Sequence, residues 1–513
     1  MAQHQAPPHQ VVIGIDVGTT AAKVTAFGVG APFRTTVERE YPLLRPRPGW
    51  AVQEVPTVLA AVAAALAECV HRVAGSHVAC LSVSTAMHGL VGLDDELRPL
   101  TPLATWADGR AAEQSARLAT QRVARELHER SGTPVHPFAP LSKLLWFAQE
   151  EPELFGRVRA WAGLKDVVLH HLTGTLVTEL SSASGTGLLD LRTRQWSPDT
   201  LELVRVRQDQ LPEVLDTTAA LGLTRRVAER LGLPVATPVV VGAGDGPLGN
   251  LGTGALEPGV AGLSIGTSAA LRQIVPEPRI DPEGRLFCYA LTRDAWAVGG
   301  ALTTGGSVVR WAGDVFGRDL MESPGESVDA DLLALARSVP PGSEGLAMVP
   351  WLGAERAPLW DPTVRGAFVG LRASHTRGHF VRAAVEGVAL QVEAVLRQVE
   401  SIHPVHEIRA TGGVFRSDLW RDVLSAVLNR PLVVAAGAEG SGLGAAALGA
   451  WATGLADDLP GALQLLADED TLTGDEEVIR PDPERVAQYD RLTDSVADTL
   501  KTLGRAAEVL RSS

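Results

Sequence analysis

The stretch VVIGIDVGTTAAKVTAF, Val11 to Phe27, constrains this chain more than any other. It reads as strand, tight turn, strand, with a glycine and two hydroxyl residues at the turn. The spacing lacks the four residues between glycines and the Gly-Lys-Ser/Thr ending that a P-loop requires, so any phosphate it holds is held differently. The run FRTTVEREYPL follows as a third strand, which predicts an antiparallel meander. The order then recurs in VAGLSIGTSAALRQIV, Val260 to Val275, again with an apolar strand, a Gly-Thr-Ser turn and an apolar strand. A duplicated meander predicts two similar lobes with their turns facing each other across a cleft.

Between and after these copies the pattern alternates. VPTVLAAVAAALAECVHRVAG has helical spacing, and VACLSVSTA reads as a buried strand. RLFCYALTRDAWAVGGALTTGG supplies two further strands and a glycine turn leading into a helix. A helix around Gly378 to Ile402, the strand EIRATGGV, the helix SDLWRDVLSAVLN, the strand RPLVVAAG and the helix GSGLGAAALGAWATG complete an α/β order. The expected organisation is a disordered tail over 1–10, a first lobe over 11–253, a second over 254–455 and a helical extension over 456–513. Within the last of these, PDPERVAQYDRLTDSVADTLKTLGRAAEVLRSS is read as an amphipathic helix.

The turn residues expose several N–H groups and hydroxyls toward one point, an arrangement suited to phosphate oxygens. Asp16 precedes the first turn, and a carboxylate beside polyphosphate is repulsive unless a divalent cation lies between, so Asp16 is the candidate for Mg²⁺. For one such loop, an Asp capping its own hairpin explains the residues as well; two matching loops favour phosphate. In VVVGAGDGPLGNLGTG a strand runs into Gly-Ala-Gly and places Asp245 at a strand end, where it could accept the proton of an attacking hydroxyl. The alternative is a plain Asp-Gly turn. In STAMHGLVGLDDELRPLTPLATWADGRAAEQ, His88 follows a strand, and a hairpin returns to Trp106, Asp108 and Arg110, groups suited to a polyhydroxy compound. Asp108 as the cap of the next helix is the alternative.

Only four of the 46 basic residues are lysines, namely Lys23, Lys143, Lys165 and Lys501. A lysine kept where arginine has taken nearly every basic position marks a place needing a compact ammonium, or chance survival on the surface. Lys23 lies beside the first turn, and Lys143 and Lys165 lie within the first lobe. The formal net charge of -14 argues against a broad nucleic-acid or anionic-membrane surface, so an anionic substrate must meet local cations such as Lys143, Lys165 or Arg110. Cys69, Cys80 and Cys288 are too few and too spread for a disulfide framework or a metal knuckle, which predicts buried free thiols and a cytoplasmic location. No signal-peptide pattern opens the chain, and no apolar run is read as long enough to span a bilayer.

GIDVGTTAAKV, MHG, WADGR, GAGDGPLGNLG, LSIGTS, ERAPLWDPTVRGAFVGL and TGGVFRSDLW, in this order, resemble the FGGY carbohydrate kinases from Val11 to Gly454. The resemblance implies two ribonuclease-H-like lobes of the actin and hexokinase type, with mixed sheets flanked by helices and a central cleft for ATP, Mg²⁺ and a sugar. It carries Asp16, Gly18, Thr19, Thr20, Gly266 and Thr267 over as grips on the phosphates and metal. Gly305, Gly306, Gly412 and Gly413 become glycines of the nucleotide pocket, with Ser417 beside them and Lys23 beside the first turn. Asp245 becomes the catalytic base, and Met87, His88, Gly89, Trp106 and Asp108 face the sugar. TWADGR, GDGPLG, HPFAPLSKLLWF, FCYALTRDAW and GGSVVRW look most like bacterial gluconate kinases, which implies phosphorylation of D-gluconate to 6-phospho-D-gluconate. A xylulose, ribulose or other polyol kinase is the alternative within the family, and a nucleotide-binding switch of the actin or heat-shock type is the alternative outside it. A homodimer is among the assemblies the resemblance allows.

Overall fold

A computed structural model describes residues 8–317, 328–353, 355–361, 364–434, 440–466 and 477–492. They fall into two compact units. One holds the residues up to Leu256, Ile274–Val298 and those of 436–475; the other holds Glu257–Gln273, those of 299–435 and those from 476 on.

The first unit is built on a six-stranded sheet, ordered Ala220–Leu221, Val239–Gly244, His77–Thr85, Gln10–Val17, Ala21–Gly28, Arg34–Glu40. The last three form the expected antiparallel meander. Gln10–Val17 pairs parallel with His77–Thr85, which in turn pairs parallel with Val239–Gly244. These central strands are apolar runs because both faces are covered. Gln10 is already in the strand, and His77 N–H donates to His9 O, so the ordered chain begins before Val11.

The helix Val55–Arg72 lays Val58, Val62, Ala65, Leu66 and Cys69 into the core, the 3-4 spacing of one helical face. At 18 residues it reaches the length and apolarity of a membrane span, although 39% of it is buried inside the protein. The sequence was expected to hold no run of that length.

The Gly/Ala-rich helix Gly440–Ala452, assigned to the second lobe from sequence, packs within the first unit. The reason is backbone approach: a Cβ on Gly14 would overlap Gly442 O, and one on Gly449 would lie 2.7 Å from Ser82 Cβ. The small residues let the helix lie directly on the sheet, burying Ala445, Ala446, Ala447 and Ala450.

In the second unit the duplicated pattern is present. Val260–Ile265 pairs antiparallel with Ala269–Val275 and parallel with Glu407–Thr411, which pairs parallel with Leu432–Val434. The helices Ser307–Phe316, Val328–Arg337, Arg377–Glu400 and Asp418–Leu428 accompany these strands. Within the C-terminal stretch, Tyr489 is anchored by donating to Glu386 Oε1 at 2.8 Å. The remainder of that stretch from 493, Lys501 included, lies outside the described residues, as do parts of the ERAPLWDPTVRGAFVGL motif.

Candidate active site

In the first unit the Gly-Thr-Thr turn is held from behind. Gly18 N–H donates to Ala21 O at 2.9 Å and closes the hairpin. Tyr41 Oη–H donates to Gly18 O at 2.7 Å, and Gln53 Nε2 donates to Thr19 O at 2.7 Å. Trp106 Nε1 donates to Thr19 Oγ1 at 2.9 Å, joining the WADGR segment to the turn. Thr20 is exposed at the tip. Lys23 is half-exposed on the next strand, 3.6 Å from Glu38, an ion pair open to solvent.

Asp16 stands just before this turn. Its two oxygens accept from Ser84 Oγ at 2.8 Å and Ser441 Oγ at 2.7 Å. Burial raises its pKa, while those two hydroxyls and the charges of Lys23 and Lys165 pull it down. Neither serine was read from the sequence; Ser441 sits in the Gly/Ala-rich helix, whose composition gave no sign of its docking place.

Asp245 is the first residue of the helix Asp245–Gly252, directly after the strand Val239–Gly244. Met87 packs against that junction: a Cβ on Gly244 would lie 2.5 Å from Met87 Sδ, and one on Gly185 would lie 2.7 Å from Met87 Cε. His88 adopts φ +67°, a left-handed conformation rare outside glycine. Its Nδ1 lies 2.8 Å from Gly185 O, which can only accept, so Nδ1 carries the proton and Nε2 is the acceptor of the neutral ring. The ring also stacks edge-on against Phe138. Met87 thus lies against Gly244, the residue before Asp245, and His88 beside it is tied to Gly185.

The Asp108 carboxylate is not a helix cap, because the next helix, Ala112–Ala119, has no side-chain cap. It accepts from Ala51 N–H at 2.9 Å and from Arg110 through two 2.8 Å bonds. The guanidinium lies 3.6 Å over the Trp50 ring and 5.1 Å from Trp146. Both side chains are almost wholly buried, 3% and 0% exposed. Arg110 is therefore spent on Asp108 and its aromatic cage. Trp50 and Trp146 went unread because an aromatic cage is a tertiary property.

Lys143 and Lys165 are both buried. Lys143 Nζ donates to His88 O at 2.7 Å and Phe138 O at 2.6 Å, and burial pushes its pKa down to about 7. Lys165 Nζ donates to Val83 O, Val241 O and Ala243 O, and has no proton left for a substrate.

In the second unit a pocket of about 840 Å³ is lined by Gly266, Thr267, Gly306, Gly413, Ser417 and neighbours. Gly306 N–H donates to Gly266 O at 2.8 Å, and Gly305 N–H to Thr267 O at 3.0 Å. These bonds tie the second turn to the N-terminus of the helix Ser307–Phe316, a favourable place for an anion. Gly412 has φ +120°, and a Cβ there would overlap Ile265 O. Val309, Leu333, Ala334 and Val414 give the pocket an apolar wall, and Arg310, Arg337 and Arg416 give it cations. Its volume falls in the usual range for ligand pockets.

The model of the FGGY family of carbohydrate kinases, N-terminal domain, matches residues 11–252, and that of its C-terminal domain matches residues 261–453. Gluconokinase of Bacillus subtilis is 37% identical over 452 residues, covering 87% of this chain and 88% of its own. Xylulose kinase of Lactococcus lactis is 30% identical over 490 residues, covering 94% of each chain. Among solved structures, gluconate kinase from Lactobacillus acidophilus superposes with a TM-score of 0.90 at 31% identity, covering 98% of this chain and 99% of its own. Ligand-bound xylulose kinase from the same organism gives 0.91 at 31%, covering 98% and 100%. The fold is the two-domain sugar-kinase fold of the actin and hexokinase type, with mixed sheets flanked by helices, and the family uses ATP as phosphate donor. With both domains matched across nearly its whole described length, the chain belongs to the FGGY family of carbohydrate kinases.

Proposed function

We propose that this carbohydrate kinase transfers the γ-phosphoryl group of ATP to the 6-hydroxyl of D-gluconate. The observation that carries the substrate is the identity gap: 37% and 36% to two Bacillus gluconokinases against 30% to the xylulose kinases of Lactococcus lactis and Bacillus subtilis.

In this reading Asp245 accepts the proton of the attacking hydroxyl, and Met87, His88, Gly89, Trp106 and the Asp108–Arg110 pair shape the acceptor side. Of the three cations considered for the acid group, Lys143 is the one retained. It has one proton beyond its two carbonyl bonds, and it is tied to the backbone of His88. Gly18, Thr19 and Thr20, with Lys23 nearby, and separately Gly266 and Thr267, offer N–H and hydroxyl donors to phosphate oxygens. Gly305, Gly306, Gly412, Gly413 and Ser417 shape the nucleotide pocket, where a side chain on Gly305 or Gly306 would meet backbone. Asp16 fits a hard cation, since its two oxygens are held by neutral hydroxyls and burial disfavours its bare charge. When bound there, directly or through water, Mg²⁺ would neutralise phosphate charge. Catalysis of this kind rests on positioning and electrostatics. We place the enzyme in the cytoplasm; a homodimer is an assembly open to it.

A ketose substrate is the second reading, supported by the equal structural likeness to a xylulose kinase. An initial-rate panel with D-gluconate, xylulose, ribulose, glycerol and erythritol separates the two. A kcat/KM for any other acceptor above that for gluconate overturns the proposal.

A further inference from the structure

We propose that Lys165 is a positioning residue that sets the geometry of Asp245 through the backbone of the strand leading into it. This rests on the reading of Asp245 as the proton acceptor.

The strand Val239–Gly244 pairs parallel with His77–Thr85, but its register shifts between Val240 and Ala243. At the shift Gly242 takes φ +76°, and a Cβ there would overlap Val83 O. A bulge of this kind re-aims the chain that follows and takes carbonyls out of the ladder. Buried carbonyls need partners. The Lys165 ammonium supplies them, donating to Val83 O on one strand and to Val241 O at 2.9 Å and Ala243 O at 3.0 Å on the other. Three protons meet three carbonyls, two of them flanking Gly242, which lies three residues before Asp245.

A second clamp holds the next residue. Gly244 N–H donates to Ser181 Oγ at 3.1 Å. Ser181 lies in the short helix Leu180–Ser184, whose N-cap Glu179 accepts from the N–H groups of Ser181 and Ser182. Glu179 is itself 3.9 Å from Lys165 Nζ. The three protons of Lys165 all go to those carbonyls, so it acts through this scaffold and does not touch the substrate. Its charge faces Glu179, Asp166, Asp16 and Asp245. A guanidinium is planar and wider, and cannot aim three N–H bonds from one atom at three convergent carbonyls. That accounts for a lysine here in a chain with four lysines among 46 basic residues.

The test uses the full-length enzyme with ATP and the best acceptor of the substrate panel, rates being expressed per ATP-binding molecule from calorimetric titration. Lys165→Met is expected to lower kcat by about 100-fold with both KM values within about threefold, the size of effect a misplacement near 1 Å produces. Lys165→Arg is expected not to restore it. A merely structural role would lower the folded fraction and leave kcat per ATP-binding molecule where it was; that result overturns the proposal. Should Lys165→Met fail to fold, Ser181→Ala decides. A kcat several-fold below wild type at unchanged KM supports the clamp, and an unchanged kcat refutes it. Asp245→Asn is run alongside. An inactive Asp245→Asn beside a fully active Lys165→Met removes the positioning role alone, whereas an active Asp245→Asn removes the reading of Asp245 and the positioning role with it.

Discussion

Gly306→Ala is the sharpest probe of the second phosphate turn. An added Cβ would lie 2.9 Å from Gly266 O and 2.9 Å from Val414 Cγ1. Both contacts are too close, so something must shift. Gly266 cannot retreat freely, because its carbonyl accepts from the N–H of Gly306 itself at 2.8 Å. Val414 belongs to the one-turn helix Gly413–Arg416, which lines the same pocket. Overpacking of a tight site costs about 1–3 kcal/mol. If the free enzyme relaxes by moving the turn and ATP must restore it, the KM for ATP rises by about 5- to 150-fold, at 1.4 kcal/mol per factor of ten. The acceptor KM should stay within about twofold, since Met87 and His88 belong to the other unit. The assay is steady-state kinetics with each substrate varied in turn, with thermal melting as the control for folding. An ATP KM within twofold of wild type, with an unchanged melting temperature, would refute the cradle as drawn.

Other outcomes follow from the same geometry. Asp245→Asn should lower kcat by about 10²–10⁴-fold, the usual worth of a positioned general base, while ATP affinity in titration stays near wild type. Arg110→Met leaves Asp108 buried without its bidentate partner and should cost about 3–5 kcal/mol in urea unfolding. Arg110→Met combined with Asp108→Leu should recover much of that loss. Burial pushes Glu355 from 4.5 up to about 7. A folded-state pKa above the unfolded one gives stability that is full below pH 4.5 and lost as pH rises through 7. Glu355→Gln should therefore flatten the fall in melting temperature over that window. The three cysteines are free and buried, with pKa values raised to about 12 by burial, so a thiol reagent should label none in the native protein and all three in denaturant.

The two hairpins were legible because a Gly-hydroxyl turn between apolar runs has few other solutions, and both form as expected. The second copy is not a plain meander, since Ala295–Leu302 and not Phe287–Thr292 lies beside Ala269–Val275. The helix Gly440–Ala452 was legible as a helix but not as part of the first unit. Glycine and alanine record that a backbone comes close, not which backbone. Asp16, Asp245 and His88 could be picked out because each stands at or just beyond the end of a strand, and Met87 only through the family resemblance. Their support could not. Ser84 and Ser441 meet Asp16 from residues far apart in the chain, and the partners of Arg110 gather from Trp50, Asp108 and Trp146. Lys165 is the instructive case. Lysine scarcity marked it, but an ammonium suits a substrate carboxylate and three bulged carbonyls equally well on paper. Only the register shift at Gly242 distinguishes them.

The central claim is transfer of phosphoryl to gluconate. It is tested most directly by ³¹P NMR of a reaction holding equimolar D-gluconate and D-xylulose with limiting ATP and Mg²⁺. The account predicts that the resonance of 6-phosphogluconate takes up most of the transferred phosphorus. Xylulose phosphate as the main product, or inorganic phosphate alone, would contradict it.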